Sequence, residues 1–169
     1  MLFYLKIIMN NIVNYIKEGL KITSKTKVNK NYYTVDDFCT KYNCKKDGDM
    51  FINLSDDVAN KLTKFFNNYN DSIKDEVKQY IENNNQLKSP YKIMFYKADG
   101  VFYDKLNIEC LESNGVLDDI LAHITIRYKK QTCMGITYEF EDPSFNKETQ
   151  KEVESFLIEI LEYIINIKL

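Results

Sequence analysis

The sequence has no tryptophan, a single histidine (His123), a single arginine (Arg127), two prolines and five glycines. Each shortage closes a class of function. Phosphate-binding loops and dinucleotide fingerprints need clustered glycines so that backbone N–H groups can approach an anion, and these glycines are scattered. One imidazole excludes any mechanism that uses two, and nucleophile-elbow, zincin and Ser-His-Asp patterns are also missing. A structural zinc site built on cysteine needs a tight Cys-x2-Cys pair or its equivalent. Cys39 and Cys44 are spaced too widely for that, and Cys110 and Cys133 fall singly on strands. The four cysteines therefore read as small buried hydrophobes, with no metal and no cofactor.

Long apolar runs are lacking too. The opening residues 1–9 carry no basic n-region, and Lys6 and Asn10-Asn11 interrupt the run well short of a membrane span. The expectation is neither secretion nor a membrane anchor. Cysteines this few and this irregular fit a reducing, cytoplasmic compartment better than a disulfide scaffold.

What is present is a globular composition, with 44% hydrophobic and 28% charged residues over 169 positions. That length predicts one domain, 1–169, able to bury a single core. Asn, Ile, Lys and Tyr recur throughout, a bias that AT-rich codons produce and that marks a low-GC genome. The formal charge of −2 argues against a dedicated nucleic-acid binder, which needs a strong basic excess. Charge is unevenly spread: Lys17, Lys21, Lys25, Lys27 and Lys30 cluster early, whereas Glu139, Glu141, Asp142, Glu148, Glu152, Glu154, Glu159 and Glu162 load the end with acid.

Periodicity divides the chain into a helical half, 1–88, and a sheet plus closing helix, 89–169. Leu5, Ile8, Ile12, Ile16 and Leu20 recur at helical spacing and predict an amphipathic helix with one face buried. Thr34 is placed to cap a short helix through Tyr42, and Asp47-Gly48 ends it with a turn. Phe51–Leu54 reads as a short strand. Ser55 starts a helix whose inward face is Val58, Leu62, Phe65, Phe66 and Tyr69, and Ser72 starts another with Ile73, Val77, Tyr80 and Ile81 inward. From Tyr91 the period becomes two, with turn signals at Asp99-Gly100 and Asn114-Gly115. The prediction is an α+β fold in which an antiparallel four-stranded meander packs against N-terminal, central and C-terminal helices.

The last hairpin supports a register. Ile124, Ile126 and Tyr128 must share the buried face with Met134, Ile136, Tyr138 and Phe140, which holds if Lys130-Gln131-Thr132 forms a three-residue loop. His123 then faces Glu139, Thr125 faces Thr137, and Arg127 faces Gly135, all on the side away from the core. His123-Ile-Thr-Ile126 is similar to half of the His-x-Thr-x signature of two-histidine phosphoesterases, but the other half requires a second histidine.

Two functional readings follow. The leading one is a non-enzymatic cytosolic protein-binding factor of the immunity, antitoxin or host-defence-inhibitor kind. It acts stoichiometrically on a basic protein partner, not on a membrane or a nucleic acid, through Glu148, Glu152, Glu159, Tyr96 and Tyr103. The alternative is a small enzyme or ligand-binding sensor on the outer sheet face, which carries His123, Thr125, Arg127, Thr137, Glu139 and Glu141. There His123 beside Glu139 supplies a base and Arg127 an anion anchor.

Overall fold

The computed structural model describes residues 5–6, 8–12 and 31–169, and the chain divides into two compact units, Met1–Tyr32 and Tyr33–Leu169. In the first unit, residues 5–6 and 8–12 are helical, as their spacing predicts. Their apolar side is not buried, however: Leu5, Ile8 and Ile12 are each half-exposed. An amphipathic pattern specifies a stripe, but burial requires a surface to receive it. Ile16, Leu20 and the lysines at 17, 21, 25, 27 and 30 lie outside the described residues.

The second unit is α+β, with an open six-stranded antiparallel sheet in the order β1–β2–β6–β5–β4–β3. Its strands are β1 (Lys45–Asp47), β2 (Met50–Ile52), β3 (Tyr91–Ala98), β4 (Asp104–Ser113), β5 (Asp118–Lys129) and β6 (Thr132–Phe140). The predicted meander is thus present as β3 to β6, but it is not the whole sheet. A hairpin, β1–β2, turns at Gly48, whose φ of +58° suits glycine, and adds itself to β6 through Met50↔Thr137 and Phe51↔Ile136. β1 escaped the pattern reading because Lys45-Lys46-Asp47 is exposed throughout and shows no apolar alternation.

Among the described residues of this unit there are four helices: α1 (Val35–Tyr42), α2 (Asp56–Asn67), α3 (Asp71–Asn84) and α4 (Lys147–Asn166). Each begins on a side-chain cap. Thr34 and Asp37 form a capping box on α1, and Ser55, Asn70 and Asn146 accept from the first-turn amides of α2, α3 and α4. α4 is apolar around most of its circumference. Val153, Phe156, Leu157, Ile158, Ile160, Leu161, Ile164 and Ile165 are all buried, as suits a helix enclosed by the sheet and by other helices.

The core face of the sheet carries Phe95, Leu106, Ile108, Cys110, Ala122, Ile124, Ile126, Tyr128, Ile136 and Tyr138. Tyr128 stacks on Phe66 at 4.2 Å between centroids and donates its hydroxyl to the Leu62 carbonyl at 2.9 Å, which satisfies the one polar atom it brings inside.

The final hairpin holds its predicted register from Ala122↔Phe140 to Arg127↔Gly135 and then shifts. Tyr128 pairs with Cys133, which leaves Met134 as the extra residue of a bulge. The loop is two residues, Lys130 and Gln131, both at positive φ, in place of three. Met134 is consequently 58% exposed and takes no place in the core. Similarly, the Asp99-Gly100 hairpin closes through a five-residue loop, 99–103, because β4 begins only at Asp104. Gly100 is required there: a Cβ would lie 2.2 Å from the Tyr103 carbonyl oxygen.

Candidate functional site

The outer sheet face is built by strict alternation on four neighbouring strands. Register places Met94, Glu109, His123 and Glu139 in one row across β3, β4, β5 and β6, and Tyr96, Asn107, Thr125 and Thr137 in the next. A solvated strand face would leave such polar residues open to water. Here Asn107, Glu109 and Thr125 are each less than 10% exposed. Burial on that scale demands partners. Thr125 donates to Asn107 Oδ1 at 2.9 Å, and the Tyr96 hydroxyl donates to Glu109 Oε1 at 2.5 Å. The tyrosine is pushed up to about 12 by burial first, then by its hydrogen bond to Glu109 and by that residue's charge.

His123 occupies the middle of this face. Its Nε2 lies 3.3 Å from Glu139 Oε2 and 3.0 Å from Glu141 Oε1, so one imidazole nitrogen meets two carboxylates. The cross-strand pairing supplies Glu139; Glu141, two residues on and on the same face, supplies the second. Arg127 does not join them. It lies four residues from His123 on the same strand, about 13 Å at the rise of a β-strand, and its guanidinium rests beside Gly135.

The five residues predicted to meet a partner fall in separate places. Glu148, Glu152 and Glu159 share one side of α4, but the chain at Tyr33–Val35 crosses that side between them. The Tyr33 amide donates to Ser155 Oγ at 3.0 Å, and the Val35 amide to Glu154 Oε1 at 2.8 Å. Glu148 stands in the first turn, roughly 16 Å along the axis from Glu159. Tyr96 is held on the sheet by Glu109. Tyr103 is 42% exposed in the β3–β4 loop, next to Val101 and Phe102, which are 95% and 79% exposed.

Beyond the crossing, α3, α4 and Tyr33 enclose a cleft of about 370 Å³ lined by Tyr33, Tyr80, Glu159, Glu162, Tyr163 and Asn166. Tyr80 and Tyr163 stack at 3.9 Å with rings 9° from parallel, and the Tyr163 hydroxyl donates to Glu76 Oε1 at 3.2 Å. Glu162 accepts from the Tyr33 hydroxyl and from Lys41 Nζ, the latter at 2.6 Å. Glu159 has no cation of this kind among the described residues, and its carboxyl is raised above the ordinary range by burial and by the charge of Glu162. Tyr80 is raised for the same reasons, with burial first, then Glu159 and Glu162.

Sequence reasoning selected Glu159 and placed His123, Glu139 and Glu141 on the outer face, but missed the cleft. It also missed Glu109, which the Met94–Glu109–His123 alignment of three strands would have revealed once β4 was registered against β5. Three of the four cysteines, Cys39, Cys44 and Cys110, are buried, and the Cys44 thiol is pushed up to about 12 by burial and by its neighbour Cys39. No helix among the described residues is long and apolar enough to cross a membrane. No protein-family model, no curated protein and no solved structure matches the chain.

Proposed function

We propose that the protein is a non-enzymatic cytosolic binding factor that captures a basic protein partner stoichiometrically, with a Lys or Arg side chain of the partner entering the Tyr33–Tyr80–Tyr163 cleft beside Glu159. The observation that carries this reading is the charge in that cleft: two carboxylates, one already paired with Lys41 and one with no cation among the described residues, walled by three tyrosines. A cation entering there offsets the burial and the charge of Glu162 that together raise Glu159, and gains the faces of aromatic rings. Immunity proteins, antitoxins and host-defence inhibitors work in this stoichiometric manner, and acidic rims suit them to basic targets.

The test begins by capturing the partner from extracts of the native host and measuring its affinity for purified variants. Glu159→Gln and Tyr80→Ala are each expected to weaken binding by roughly tenfold or more, about 1.4 kcal/mol. Glu148→Gln, at the far end of α4, should leave affinity unchanged. Equal affinity in all three variants would remove the cleft from recognition.

A second reading is supported by the meeting of His123 with Glu139 and Glu141: a small enzyme or ligand-binding sensor on the outer sheet face. It predicts that His123→Ala abolishes activity or ligand uptake while partner capture persists.

A further inference from the structure

The two carboxylates around His123 Nε2 bring more negative charge than one imidazole can balance in either protonation state, and Arg127 is too distant to make up the difference. A divalent ion at their centre would neutralise both. The separations suit one. Metal–ligand bonds of about 2.0–2.2 Å place neighbouring donor atoms about 2.8–3.1 Å apart in an octahedral site and about 3.3–3.6 Å apart in a tetrahedral one. The two edges from His123 Nε2 are 3.0 Å and 3.3 Å, and the three donor atoms all lie within 4.8 Å of one another. Closing the third edge needs only a small rotation of side chains that are 44% exposed.

The backbone beneath is rigid for this purpose, since His123 and Glu139 are direct cross-strand partners in the interior of a six-stranded sheet. The donor set also selects among ions. An imidazole nitrogen disfavours Ca²⁺ and Mg²⁺, which take oxygen ligands, and two carboxylates with one imidazole suit a first-row transition ion. Three protein ligands with solvent access leave a fourth position for water or a small anionic ligand.

We infer that His123, Glu139 and Glu141 form a binding site for one divalent transition-metal ion, of which Zn²⁺ is the type. The site shares no residue with the α3–α4 cleft, so its failure and the failure of the partner-binding reading are separate results.

His123 is the only histidine, and its imidazole C–H resonances are therefore a unique reporter. Untagged full-length protein, stripped with a chelator and titrated with Zn²⁺, should show those resonances shifting to saturation at one ion per chain. Calorimetry should return the same stoichiometry. Glu139→Gln/Glu141→Gln keeps the histidine and should weaken the interaction by roughly 100-fold or more, beyond the 10–100-fold range for loss of a group that merely orients a ligand. His123→Ala should abolish the calorimetric site while leaving the circular dichroism of the wild type. Imidazole resonances that do not move under excess Zn²⁺, or that move equally in the doubly substituted protein, would reduce the cluster to an ion pair. Zinc uptake that survives His123→Ala would assign the ion to the thiols and overturn the proposal likewise.

Discussion

The two faces of the sheet bury their residues in different ways. On the core face, Leu106, Ile108, Ile124, Ile126 and Ile136 have no exposed surface and meet α4 and its neighbours through apolar contact alone. On the outer face, Asn107, Glu109 and Thr125 are nearly as buried, yet each takes part in a directed hydrogen bond. Apolar burial is non-directional and scales with area, so the core tolerates any residue of suitable shape. Polar burial is conditional: each group removed from water must find its partner or cost the fold. The outer face is thus the more specified of the two.

The largest effect that tests this contrast belongs to the core. Phe156→Ala removes a 5%-exposed ring from α4 and is expected to cost about 3–5 kcal/mol in chemical denaturation. A loss under about 1 kcal/mol would mean that α4 is not central to the core.

A smaller loss is expected from the outer face. Thr125→Val leaves Asn107 buried without its donor and should cost about 1–3 kcal/mol, whereas Asn107→Leu with Thr125→Val should cost clearly less than the two single changes added together. Strict additivity would show that the pair behaves as ordinary solvated surface, and the contrast between the faces would collapse.

Both faces also hold groups whose protonated form the fold prefers. On the core face the Cys110 thiol, ordinarily at 9.0, is pushed up to about 12 by burial and secondarily by Glu112. On the outer face Tyr96, ordinarily at 10.0, is pushed up to about 12 by burial and Glu109. Because each folded value is raised above the unfolded one, the stability it contributes is complete below the unfolded value and is lost as pH rises through the folded one. Unfolding midpoints should therefore decline between about pH 9 and pH 12, and Tyr96→Phe should flatten only the part above pH 10. A flat midpoint across that window would contradict both shifts.

The smallest effect on stability is expected in the cleft. Glu159 is raised, so the folded state disfavours its charge, and its stability contribution declines as pH climbs past the unfolded value through the folded one. At neutral pH, Glu159→Gln should leave the thermal midpoint unchanged or higher, even as partner affinity falls. A clear drop in the midpoint would make Glu159 a structural residue.

Local physics made much of this molecule legible in advance. The caps Thr34 and Ser55, the inward stripe of α2, the meander from β3 to β6 and the pairing of His123 with Glu139 all follow from periods of 3.6 and 2 and from unsatisfied helix-end amides, which are properties of neighbouring residues. β1, the Met134 bulge, the crossing of α4 by Tyr33–Val35 and the cleft beside Glu159 do not follow from them. Each joins segments distant in sequence, or depends on where a strand stops and a side chain turns once its neighbours are in place. Those choices are made by packing and by the need to satisfy buried polar groups, which exist only after the elements have assembled.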